Sequence, residues 1–139
     1  MSLEVNGMLD VLKKLDKLSD RSQVEDIAKK AVAAAEPINE AAMRSAIASS
    51  EYGPYSTGEV SASVSSTDVR VNEWGVYAVA KPGGRDRKGV RNGERAAYLE
   101  YGTSRMPARP WRARAVAAAT GPCVEVMKGI VESEMGCEP

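Results

Sequence analysis

The chain of 139 residues is long enough for one domain with a modest core. Its apolar content leans on Ala, Phe is absent and aromatic residues make up only 5%, so part of its stability is expected from a partner surface. Nineteen basic residues balance nineteen acidic ones, which argues against a chain built chiefly to wrap nucleic acid or coat an anionic membrane; the absence of His excludes a His triad, a His-ligated metal and His acid–base chemistry.

No apolar run approaches a membrane span, and the amino terminus lacks the basic-then-apolar pattern of a secretion signal, so the expected compartment is the cytoplasm. Cys123 and Cys137 would lie roughly 21 Å apart on an unbroken helix, too far for a disulfide, and are expected to be reduced.

In chain order, Met8, Val11, Leu12, Leu15 and Leu18 recur at steps of three and four, which predicts a short amphipathic helix capped by Asn6 and ended by Ser19-Asp20-Arg21. Ser22-Gln23-Val24-Glu25 has the form of a capping box and predicts a second helix from Ser22 through Ile47. Its expected buried stripe is Val24, Ile27, Ala31, Ala34, Ala35, Ile38, Ala42 and Ala46, with a kink over 33–37 where Pro37 removes a backbone hydrogen bond. The segment 49–58, with Gly53-Pro54 and Thr57-Gly58, reads as a loop.

Val60, Ala62 and Val64 alternate with serines and predict a strand; Val69 and Val71 predict a second, and the segment 74–80 a third with Trp74, Val76 and Ala78 on one face. Short connections favour an antiparallel meander. Residues 81–95 hold six basic and two acidic side chains among several glycines, and are expected to form a mobile hairpin tip or disordered loop. The segment 96–101 reads as strand-like or short helical, and Gly102 as a strand end. Pro110 suits the first turn of a last helix, which Gly121-Pro122 should bend or split; Cys123, Met127, Ile130 and Val131 continue its apolar face, and residues 136–139 are expected to fray. The result is an α+β domain over 1–139: N-terminal helices, a small antiparallel sheet of three to four strands, and a C-terminal helix.

Candidate chemistry is sparse. Arg105, Arg109, Arg112 and Arg114 lie close together and, with the basic residues of 85–95, suggest a nucleic-acid contact; the alternative is pairing with carboxylates of a neighbouring subunit, which the balanced overall charge favours. Gly83, Gly84 and Gly89 lack the spacing of a phosphate loop, the carboxylates are scattered, and Cys123 reads as a small buried hydrophobe. Tyr52, Tyr55, Tyr98 and Tyr101 read as core or interface anchors. Net charge runs from +4 over 81–95 to −3 over 125–139, a gradient suited to head-to-tail packing of identical copies.

The segment Tyr98-Leu99-Glu100-Tyr101-Gly102-Thr103-Ser104-Arg105-Met106-Pro107-Ala108-Arg109-Pro110-Trp111 resembles the signature of the tail-component, or neck, family of lambda-like long-tailed bacteriophages. The leading Leu-Lys helix, the Ala-rich helix with Glu36-Pro37 and the turn Ser56-Thr57-Gly58 agree with that family in order. Tyr52-Gly53-Pro54-Tyr55 departs from its usual Ala-Pro-Val-Asp run, and the loop over 81–95 is long. The resemblance implies a non-enzymatic phage or prophage protein of the virion, assembled in the bacterial host cytoplasm, needing no cofactor and no metal. It implies partners that are copies of itself in a ring and neighbouring head-to-tail junction or tail proteins, not a membrane or nucleic acid. Its expected contact residues are Tyr101, Gly102, Thr103, Arg105, Met106, Pro107, Arg109, Pro110 and Trp111, with Tyr101 and Trp111 as anchors and Arg105 and Arg109 facing a neighbour's acids.

Overall fold

A computed structural model describes residues 11–13, 15–16, 19–53 and 56–136. Its elements are α1 (Arg21–Ser50), α2 (Glu59–Ala62), β1 (Val64–Ser66), β2 (Arg70–Asn72), β3 (Gly75–Tyr77), β4 (Ala80–Pro82), α3 (Asn92–Tyr101) and α4 (Arg112–Glu134), an α+β arrangement. Ahead of α1, Val11, Leu12 and Leu15 are helical and exposed. Asn6, Met8, Leu18, Tyr55 and Cys137 lie outside the described residues.

The cap of α1 is Asp20, not Ser22: its carboxylate accepts from the Ser22 amide at 3.0 Å and places negative charge at the positive helix end. The helix then runs unbroken past Pro37 to Ser50. Pro37 and Ala33 both sit on the exposed face, where water can reach the Ala33 carbonyl that Pro37 leaves without a donor. The same reasoning covers α4, which continues through Gly121 and Pro122 on its exposed side instead of splitting.

Along α1, Ala31, Ala35 and Ala46 are buried as the periodicity required, whereas Val24 is exposed. These small side chains, with Ala115 and Ala119 of α4, let the two long helices pack closely. The main core gathers at the C-terminal end of α1, where Ala46 and the fully buried Ile47 meet Val60, Val64, Ala96, Leu99, Trp111 and Ala115, with Met43 and Met106 against them.

The predicted first strand is half a helix. Val60 and Ser61 lie in α2, entered through Gly58 at φ 74°. The serines that alternate with Val and Ala fold back on the chain: Ser61 Oγ donates to the Gly58 carbonyl at 3.1 Å and Ser63 Oγ to that of Val60 at 2.7 Å. The Glu51 carboxylate accepts from the Ser61 amide at 2.7 Å.

The strands form a nested hairpin, not a meander. β1 pairs antiparallel with β4 (Val64 opposite Pro82, Ser66 opposite Ala80), and inside them β2 pairs with β3 (Arg70 opposite Tyr77, Asn72 opposite Gly75). Thr67 joins the two levels, its amide donating to the Val79 carbonyl at 2.8 Å while its Oγ1 accepts from the Val79 amide at 3.0 Å. Trp74 is therefore not a strand residue on a sheet face but part of the β2–β3 turn.

The segment read as a patternless loop, 81–95, holds the end of β4, an Arg85–Arg91 bridge and the first turn of α3. Asp86 organises it by accepting from the amides of Lys88 at 2.9 Å and Val90 at 2.8 Å. The buried Asn92 ties it to the hairpin through Nδ2 to the Gly83 carbonyl at 2.8 Å. Among the described residues no helix is long and apolar enough to cross a membrane.

Candidate functional site

The segment 98–111 links α3 to α4, so Gly102 ends a helix and not a strand. Its amide donates to the Tyr98 carbonyl at 2.8 Å, and the chain leaves at φ 77° and ψ 173°, a region open in practice only to glycine. A Cβ at Gly102 would lie 2.7 Å from the Ala108 nitrogen and 3.0 Å from the Met106 oxygen, so the absent side chain is also what lets the turn fold back. Thr103 and Met106 close that turn with backbone bonds of 2.9 and 3.3 Å, and Thr103 Oγ1 accepts from the Arg105 amide at 3.3 Å. The Arg109 amide then donates to the Leu99 carbonyl at 2.6 Å, locking the returning chain against α3.

Three side chains hold this turn to its surroundings. Trp111 is 4% exposed and donates its Nε1–H to the Ala96 carbonyl at 2.9 Å, which satisfies the only polar atom of a ring otherwise in the core. The Arg109 guanidinium carbon lies over the Tyr52 ring, 3.7 Å from its centre, and the group donates to the carbonyls of Tyr52 at 2.8 Å and Ser50 at 3.4 Å. Arg114 donates to the hydroxyls of Ser50 and, at 3.0 Å, Ser49, and to the Pro110 carbonyl at 3.1 Å. Both guanidinium groups thus sit at the C-terminal end of α1, where carbonyls lack intrahelical donors and the helix dipole is negative.

Glu100 performs the converse task for α4. Its Oε2 accepts from the amides of Trp111 at 2.8 Å and Arg112 at 3.0 Å, replacing a local N-cap with a carboxylate from the preceding helix. Burial by itself raises its pKa, but the two amides and the nearby Arg112 and Arg114 charges outweigh it and hold the carboxyl below its ordinary value. Tyr98 shifts the other way: its hydroxyl donates to the Glu94 carboxylate, whose hydrogen bond and charge push the phenol up.

The expected contact residues therefore divide. Trp111 and Gly102 serve the packing of the subunit itself, and the half-buried Arg109 bonds within the subunit to the carbonyls of Ser50 and Tyr52. Tyr101 is 69% exposed and is met by Arg112, whose Nη1 donates to its hydroxyl at 3.1 Å. Thr103, Pro107 and Pro110 are exposed and Met106 is half-buried against the core. The Arg105 side chain is exposed and has no partner among the described residues. In the basic segment, Arg87 and Arg95 pair with Glu59 at 3.2 and 3.3 Å, and Arg95 also with Asp86 at 3.6 Å, while Lys81, Arg85, Lys88 and Arg91 are in none of these pairs.

Beside the turn lies an open groove of about 470 Å³. Tyr52, Val60, Leu99 and Met106 supply its apolar surface, and Arg105 and Arg109 border it. Sequence reasoning placed Glu100 in this segment without a role and did not connect Ser49 and Ser50 to it, because remote capping leaves no local pattern. Cys123 is half-buried on α4, with its Sγ 3.7 Å from the Ala35 carbonyl, in keeping with a packing role. Among the described residues no cluster of three or more His, Cys, Asp or Glu is placed to hold a metal ion.

The family model described as "Bacteriophage HK97-gp10, putative tail-component" matches residues 10–102. That match covers α1, α2, the nested hairpin and α3 and ends at the glycine that opens the Pro-rich turn, so the turn beyond Gly102 and α4 lie outside it. No curated protein and no solved structure matches the chain. With most of its length matched by one family model, the chain belongs to the HK97-gp10-like family of bacteriophage tail components.

Proposed function

We propose that the chain is a structural subunit of the head-to-tail junction or of tail completion in a phage or prophage particle. It acts by closing into a ring with copies of itself and presenting that ring to neighbouring virion proteins, without catalysis and without a cofactor. The observation that carries this reading is the match to a tail-component family over residues 10–102. The chemistry of the turn supports it. Its carboxylate Glu100 caps a helix and its guanidinium groups at 109 and 114 cap another, so these charged groups serve to fix shape. The outward face of the same turn, with the exposed Tyr101 and with Thr103, Arg105 and Met106 at the groove, is the contact surface in this reading.

Deletion of the gene from an inducible prophage tests the assignment. Electron microscopy of the lysate should then reveal filled heads and separate tails that fail to join. Intact, infectious particles from the deletion strain would overturn it.

A further inference from the structure

The β2–β3 turn carries the most exposed aromatic side chain among the described residues. Trp74 is 88% exposed, with Val71, Tyr77 and Val79 also exposed on the same hairpin. Scattered exposed apolar residues are ordinary, and the register puts Val71, opposite Val76, and Tyr77, opposite Arg70, on different faces of the ribbon; Trp74 stands apart as a large ring at a tip whose backbone is fixed. Asn72 Oδ1 accepts from the Trp74 amide at 2.8 Å and from the Gly75 amide at 3.0 Å, and Gly75 supplies φ 139°. An indole held in water on a braced turn is preorganised for insertion into a partner.

The groove beside the Pro-rich turn has the complementary properties. Its volume of about 470 Å³ exceeds what an indole needs, and Tyr52, Val60, Leu99 and Met106 give it an apolar lining. The charges also match: Glu73, next to Trp74, is exposed, and the unpartnered Arg105 stands at the groove. Within one subunit the two features cannot meet. Arg44 of α1 holds the Val64 carbonyl, Glu40 holds Ser66, and Val79 borders a cleft with Val32 and Glu36, so the hairpin runs back along α1 away from the groove at Tyr52. The helical rise from Glu36 to Ser50 alone is roughly 21 Å.

We propose that the occupant of the groove is the hairpin tip of a second copy of this chain, with Trp74 seated against Leu99 and Met106 and Glu73 paired with Arg105. Knob and groove at opposite ends of one subunit give a head-to-tail contact, the kind that generates rings. The inference rests on the ring reading above and adds to it which surfaces meet.

Sedimentation velocity of the full chain over a concentration series tests it. Trp74→Ala should raise the concentration of half-assembly roughly thirty-fold or more, as for a central aromatic anchor, while its urea midpoint stays at the wild-type value because the side chain touches little in the monomer. Glu73→Arg and Arg105→Glu should each weaken assembly, and the double variant carrying both in one chain should recover it. If wild-type rings form but Trp74→Ala assembles unchanged, or the double variant is as weak as the singles, the docking is wrong and the ring reading stands. A wild-type chain that stays monomeric in solution and in particles overturns both.

Discussion

Replacing Gly102 with Ala puts the central geometric claim about the turn at risk. Two costs combine. The backbone at φ 77° and ψ 173° lies in a region where a residue with a Cβ is strained by about 1–3 kcal/mol. In addition, the new Cβ would sit 2.7 Å from the Ala108 nitrogen and 3.1 Å from its Cα. Those are backbone atoms, so no rotamer change relieves the overlap. The turn must open, at the expense of a bond such as Arg109 N–H to Leu99 O or Thr103 N–H to Met106 O, worth about 1 kcal/mol. The reduced freedom of the unfolded chain returns ~0.4–1 kcal/mol. The net loss is about 2 kcal/mol, a large part of the roughly 5–15 kcal/mol typical of a domain. Gly58 provides the control: it also has positive φ, 74°, but ψ is 5° and nothing lies within 4 Å of the place a methyl group would take, so Gly58→Ala should lose only about 1 kcal/mol. Urea unfolding followed by circular dichroism compares the two through their midpoints at constant slope. Equal losses for Gly102→Ala and Gly58→Ala would refute the steric account of the turn.

Two further outcomes follow from the same node. Arg114→Ala should lower stability by about 1–2 kcal/mol in urea unfolding, because it strips the buried Ser50 hydroxyl of its guanidinium donor, whereas Arg105→Ala should stay within about 0.5 kcal/mol of wild type. Glu100 has a folded pKa held below its ordinary value of 4.5, so its contribution is fully present above that pH and is lost as pH falls through the folded value; Glu100→Gln should flatten that part of the acid-unfolding profile and cost about 1 kcal/mol at neutral pH.

The fold class and the importance of the 98–111 segment are legible because they depend on local pattern: the Ala stripe of α1, and glycine and proline spacing in the turn. Pairing of strands is not. Val60, Ala62 and Val64 alternate as a strand would, yet Glu51, a loop away, takes the Ser61 amide and the serine hydroxyls bond to carbonyls three residues back, which favours a helical turn. The nesting of β2–β3 inside β1–β4 depends on Thr67 meeting Val79, a long-range contact without a composition signal. Order in 81–95 comes from the single carboxylate of Asp86 binding two amides, which charge counting reads only as one acid among basic residues. The bonds of Arg109 within the subunit are hidden for a related reason: a sequence displays carboxylates, but these partners are helix-end carbonyls, which every residue carries.

The inward use of Arg109 and Arg114 changes where assembly chemistry is to be sought. These residues fasten the end of α1 to the turn, while Glu100 fastens the start of α4 to α3, so three helices meet at one node. From that node α1 extends unbroken past Pro37 to the level of the hairpin, which it holds through Arg44 and Glu40. The proposed groove and the proposed knob are therefore carried by one helix, and the angle between successive subunits would be set by its geometry and not by a loop. A substitution at the node alters that angle and the stability of the fold together, so weakened assembly of Arg109→Ala has two explanations of equal standing. Glu73, Trp74 and Arg105 lie outside the node, and a loss of assembly there at unchanged stability has one.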